Sequence, residues 1–155
     1  MVNRRLFFGS ILACASGLAA AQFVPLPTRP REKEAVDFAV AWLDLVEAGD
    51  EARSYELLTP TFQHNLTRAD WHAAVAATKA TQGKLQQRSL RRVVWYDNPE
   101  NAPLPGVYAA VEFDSVFEKS NKHFRYVVLH SQDGAPFRVM RSESTSSNDG
   151  SKESN

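Results

Sequence analysis

Residues 106–118, GVYAAVEFDSVFE, decide the fold. Val107, Ala109, Val111, Phe113 and Phe117 fall on one side of a period-two pattern; Tyr108, Glu112, Asp114 and Glu118 fall on the other. Such alternation marks a strand with one buried face and one solvated face, and it places the three carboxylates outward, in water. Lys119-Ser120-Asn121 reads as a hairpin turn. Residues 123–131 read as the partner strand, carrying Phe124, Tyr126, Val127, Val128 and Leu129. Gln132-Asp133-Gly134 makes a second tight turn. A fourth strand over 136–141 follows, with Phe137, Val139 and Met140. Upstream, residues 84–96 form the first strand, polar at its start and apolar at Val93-Val94-Trp95-Tyr96. Pro99, Pro103 and Pro105 make 97–105 a loop.

The chain before this meander has a different period. Val36, Ala39, Val40, Leu43 and Val46 recur at helical spacing over 31–47, with Trp42 beside the stripe. Gly49 sits where a left-handed C-terminal cap is wanted. Residues 50–58 read as a second helix, ended by Thr59-Pro60, and 61–66 as a short turn. Thr67 reads as an N-cap with Asp70 as its acidic partner three residues on. The helix it opens carries Trp71, Ala74, Val75 and Thr78 on one side and ends at Gly83. Helices first and a meander second define an α+β fold, with N-terminal helices packed on a four-stranded antiparallel sheet. Trp42 and Trp71 are expected to pack from their helices against the face carrying Val111 and Phe113.

With 155 residues, 43% hydrophobic and 23% charged, the chain is long enough for one domain with a core of its own. Its 18 basic and 18 acidic residues lack the positive balance of a nucleic-acid binder. One cysteine excludes a disulfide framework and any cysteine-based zinc or iron–sulfur site. Residues 1–21 have the layout of a cleaved signal peptide. Arg4 and Arg5 lead, an apolar stretch runs from Leu6 to Leu18, and Ala19-Ala20-Ala21 precede Gln22. The stretch falls short of the roughly 20 residues a membrane-spanning helix needs. This predicts a periplasmic protein with no transmembrane span after cleavage.

Asn3-Arg4-Arg5-Leu6-Phe7-Phe8 resembles a twin-arginine export motif, although two arginines as the n-region of a general secretory signal are the preferred reading. Ile11-Leu12-Ala13-Cys14 resembles a lipobox, the minority alternative of a lipoprotein anchored through Cys14. Cleavage after Ala21 removes Cys14 and two of the 18 basic residues against 18 acids, leaving a net charge of −2. Residues 22–34, with Pro25, Pro27 and Pro30, read as an extended linker. The single domain is expected over 35–141. Residues 142–155, mostly Ser, Asn, Glu and Gly, are expected to be a disordered tail.

The chemical candidates are sparse. His64, His72 and His123 read as surface or edge residues, and no His-Glu-x-x-His pattern points to a metal site. His130 shares a strand parity with Tyr126 and is the one histidine with a case for pointing inward. Arg125, Arg138 and Arg141 are expected to pair across strands with Glu112, Asp114 and Glu118. Lys79, Lys84, Arg88, Arg91 and Arg92 form a basic stretch with no acid between Asp70 and Asp97. It reads as a solvated strand face complemented by the acid-rich helices before it, in preference to an anion-facing patch. Trp42, Trp71, Trp95, Phe113 and Phe117 read as core rather than as a ligand box.

Ala41-Trp42-Leu43-Asp44-Leu45-Val46-Glu47-Ala48-Gly49-Asp50 resembles the opening helix of the domain of unknown function 4019 family, bacterial exported domains. Thr67 to Trp71 resembles that family's third helix. Leu85 to Leu90, Gly106-Val107-Tyr108, and Asp133-Gly134 with Phe137-Arg138-Val139 resemble its strands. The resemblance covers roughly Ala35 to Met140. Phe137 stands where the family usually has Trp, and Arg141-Ser142-Glu143-Ser144 stands where it usually continues apolar. The motifs are structural, so the family implies no catalytic, cofactor or metal residues. The arrangement also resembles the cone-shaped fold of the nuclear-transport-factor-2 and cystatin-like group, which hosts enzymes and binding modules alike.

Together these observations imply a non-enzymatic binding or envelope-associated module. Its partner would be a protein or small ligand of the cell envelope, not nucleic acid, and no cofactor is expected. The alternative is a small-molecule enzyme with His130 or a buried carboxylate as base.

Overall fold

The computed structural model describes residues 29–146, with the side chains of 120–123 and 146 excepted. The expected signal peptide with Cys14, the first part of the expected linker and residues 147–155 lie outside the described residues.

Four helices come first: α1 (Glu32–Ala48), α2 (Glu51–Glu56), α3 (Pro60–Asn65) and α4 (Arg68–Gln82). Helix α1 buries Ala35, Ala39, Trp42, Leu43 and Val46, one stripe at helical spacing. Gly49 ends it in the left-handed region at φ 81°, which lets the Asp50 N–H donate to the Leu45 carbonyl at 2.9 Å. Asp50 and Thr59 cap α2 and α3 through their side chains. Thr67 and Asp70 form both halves of a capping box on α4, as their spacing predicts.

Four strands follow: β1 (Leu85–Asp97), β2 (Val107–Phe117), β3 (Ser120–Ser131) and β4 (Arg138–Ser146). They pair antiparallel in the order β1-β2-β3-β4. This is the α+β meander expected from the sequence. Val93, Val111 and Val127 lie in one register row on the helical face, and Trp95, Ala109, Leu129 and Val139 in the next. Trp42 and Trp71 belong to the same buried cluster as Val111 and Phe113, as expected.

Three boundaries differ from the sequence reading. Strand β3 begins at Ser120, inside the turn expected at Lys119-Ser120-Asn121. Helix α1 starts inside the 22–34 linker. Arg31, just ahead of it, donates to Ser131 Oγ and to the Ala135 carbonyl, both at 2.9 Å, and lies over the Phe137 ring. Strand β4 continues to Ser146, beyond the end placed at 141. Ser142, Glu143, Ser144 and Thr145 pair with Val127, Tyr126, Arg125 and Phe124 of β3. A backbone ladder asks for N–H and C=O groups, not for apolar side chains, so a Ser-rich segment fills it.

Glu112 also departs from expectation. It lies on the sheet face away from the helices, yet its side chain is only 10% exposed and accepts from Arg92 Nε at 2.6 Å. Tyr108, on the same parity, is buried as well. Arg91 lies 3.8 Å from Asp114. The cross-strand partners of these acids therefore come from β1, and Arg125, Arg138 and Arg141 turn elsewhere. Arg138 donates to the Glu56 carbonyl, and Arg141 pairs with Glu143 on its own strand.

Candidate functional site

The helical face of the sheet is apolar at its centre and charged toward one end. Two register shifts in β1, between Leu85 and Gln87 and between Leu90 and Arg92, bring Arg88 opposite Ser115 on the core side. Arg88 is therefore not part of a solvated face: its side chain is 9% exposed. It donates to Glu47 Oε2 at 2.5 Å and to Asp44 Oδ1 at 2.8 Å, both on α1. Here the acid-rich helix does complement a basic strand residue, but from inside the fold.

Arg125 reaches the same Glu47 from β3. Its Nη1 donates to Glu47 Oε1 at 3.0 Å, and its side chain is only 6% exposed. Burial pulls its guanidinium pKa down; Glu47 opposes the shift and Arg88 adds to it. One carboxylate thus serves two buried guanidiniums. Arg88 Nε, Arg125 Nε and the hydroxyl of Ser115 are buried without hydrogen-bond partners. The sequence carried a signal for Arg125 that the pairing argument missed: it alternates in phase with Val127 and Leu129.

Arg125 lines a cleft of about 180 Å³ between α1, α4 and the ends of β3 and β4. Trp42, Val46, Trp71 and Val75 make its apolar wall, while Ser142 and Ser144 stand on the opposite side. The residues expected to form a tail therefore build one wall of the cleft. Gln82 closes toward it, donating from Nε2 to Ser144 Oγ at 3.3 Å. The tryptophans are core, as expected, and they line this cleft too. Glu143 completes the rim. Its carboxyl is held below the usual range by hydrogen bonds from Tyr126 and then Arg141.

A larger cleft, about 340 Å³, lies beside His130, Ser131 and Arg138. Its histidine and serine are already committed. His130 is buried, but against the Tyr108 ring on the helix-free face, where Nε2 meets the Pro105 carbonyl at 2.9 Å. Ser131 donates to the Ala135 carbonyl. His64 is exposed; His72 is exposed beside Glu51, with 3.0 Å between Nδ1 and Oε1. The side chain of His123 lies outside the described residues. No group of three or more His, Cys, Asp or Glu side chains is placed to hold a metal among the described residues. No described helix is long and apolar enough to cross a membrane.

The fold and its cleft define a small α+β domain with helices on one face of an antiparallel meander. The chain belongs to the family described as protein of unknown function (DUF4019), whose model matches residues 38–141. No curated protein and no solved structure matches it.

Proposed function

We propose that this protein is exported, loses residues 1–21 and acts in the periplasm as a binding module rather than an enzyme, with the tryptophan-walled cleft as its ligand seat. One observation carries the reading: the cleft combines an apolar wall with Arg125, a largely buried cation held by Glu47. A concave apolar site with few placed polar groups is the usual form of a small-molecule site. The lining offers little for proton transfer at neutral pH. Arginine stays protonated, and Glu143, with its depressed pKa, is a weak proton acceptor. The apolar run between Arg5 and Ala19 supports export.

Expression of the full chain in a bacterial host, with fractionation and intact-mass measurement, tests the address. The expected product is periplasmic and begins at Gln22. A lipid-modified Cys14, or an uncleaved cytoplasmic chain, overturns it. Native mass spectrometry of the same material tests the seat: a co-purified small molecule is expected, and substituting Thr78→Phe in the cleft wall should release it.

A further inference from the structure

We infer that the ligand of this cleft is a small monocarboxylate with a flat apolar body about one ring in size. The inference rests on the cleft being a ligand seat and adds its chemistry. Three observations converge on it.

The first is the state of Arg125. Its side chain is 6% exposed and its only ion-pair partner among the described residues, Glu47, is shared with Arg88. A guanidinium has five donors and no acceptor. Glu47 takes one bond from Nη1, and an anion in the cleft adds a second charge-assisted partner. A cationic ligand would meet Arg125 with no carboxylate turned toward it, because Glu143 is held by Arg141 and Tyr126. With Nη1 on Glu47 and Nε fully buried, Arg125 has few donors left for a ligand, which suits a monoanion better than a phosphate monoester, which asks for several.

The second is the size of the seat. At about 180 Å³ it is close to the engineered apolar cavity of about 150 Å³ that accepts benzene. A single ring with a short acid arm fits this volume, and a nucleotide or a long acyl chain does not.

The third is the wall. The Trp42 and Trp71 rings are stacked at 5.7 Å, and both indole N–H groups are already bonded to Ser54, so this wall offers the ligand no donor. With Val46 and Val75 beside them, the ligand's body meets an apolar surface while its charge meets Arg125. The hydroxyls of Ser142 and Ser144 stand at the rim as neutral partners.

The test is a charge series of nearly constant shape, titrated calorimetrically into the mature protein: phenylacetate, phenylacetamide and phenethylammonium. Each is carried to about 10 mM, where even a fragment-sized ligand registers. Phenylacetate should bind about tenfold tighter than the amide, the order expected when a charge-assisted hydrogen bond replaces a neutral one. The ammonium compound should bind weakest. Arg125→Gln should bring phenylacetate down to the level of the amide. Thr78→Phe, on the half-exposed helical wall, should abolish binding of all three. If Arg125→Gln does not fold, the charge series on the unmodified protein and Thr78→Phe still decide the matter. Equal binding of acid and amide, both lost on Thr78→Phe, overturns the carboxylate and leaves the seat standing. Binding tightest for the ammonium also overturns it. No binding of any probe overturns the seat itself, and the inference with it.

Discussion

Trp42 and Trp71 stack with ring centroids 5.7 Å apart and planes at 30°, and both indole N–H groups end on one residue, Ser54. Trp42 donates to the Ser54 carbonyl at 3.0 Å and Trp71 to its hydroxyl at 2.9 Å. The hydroxyl in turn donates to the Glu51 carbonyl. This joins α1 and α4 through α2, and it satisfies two polar atoms that the core would otherwise strand.

Ser54→Ala therefore separates the two tryptophans. Trp42 keeps its carbonyl partner, whereas Trp71 Nε1 loses its acceptor, the Ser54 hydroxyl, in a buried site. The expected cost is about 1–3 kcal/mol, the penalty of an unsatisfied buried donor. In a Trp71→Phe background the same substitution should cost much less. Urea unfolding of the four-protein cycle measures the difference.

Truncating either ring to Ala should cost about 3–5 kcal/mol, since each leaves a large cavity in a core shared with Val111 and Phe113. That is much of the roughly 5–15 kcal/mol a small domain has. His64→Ala and His72→Ala should stay within about 0.5 kcal/mol, because both rings are exposed and a surface pair with Glu51 is worth little. Thermal melts of the four variants check this contrast.

Glu47→Ala should destabilise the domain by about 3–5 kcal/mol, the usual result of leaving a buried ion without its partner. The effect should exceed that of Asp44→Ala. Asp44 is 61% exposed and pairs with Arg88, whereas Glu47 is 17% exposed and holds Arg88 and Arg125 together. Chemical denaturation of the two variants orders them.

The carboxyls of Glu34, Asp50 and Glu143 lie below their ordinary pKa values, held there chiefly by hydrogen bonds from Arg31, Arg53 and Tyr126 respectively. Stability from such groups is present above the unfolded carboxyl value of about 4 and is lost as pH falls through the lower folded values. Tyr126 has the opposite sign. Burial first, and its bond with Glu143 second, raise its pKa. Its contribution is present below about 10 and is lost as pH rises through the folded value. The melting temperature should be flat with respect to these groups between about pH 5 and pH 9, and should fall on both sides. Glu143→Gln should blunt both the acid and the alkaline loss.

Local rules made most of the elements legible. The stripe Ala39, Leu43, Val46 needs only helical period, Thr67 and Asp70 only a three-residue spacing, and Val107 to Phe113 only strand parity. The candidate site was legible in part. Spacing marks both tryptophans as core, but it makes Arg88 a solvated charge and Arg125 a cross-strand one, and it gives Glu47 no partner at all. Strand parity holds only until a bulge intervenes, and β1 has two register shifts. Buried charge also contradicts the rule that apolar residues face inward. It becomes tolerable only when partners from different elements converge.

The sequence by itself determined the order of the elements, their caps and turns, and the face on which Val111 and Phe113 lie, because these follow from spacing between near neighbours. Tertiary structure decided the rest. It drew 142–146 into β4 because an edge of β3 was there to pair with, and it buried Glu112 against Arg92. It also brought residue 47 of a helix between residues 88 and 125 of two strands that are not adjacent in the sheet. Contacts across such distances in the chain depend on how helices settle on a twisted sheet, and no periodicity in the sequence encodes that.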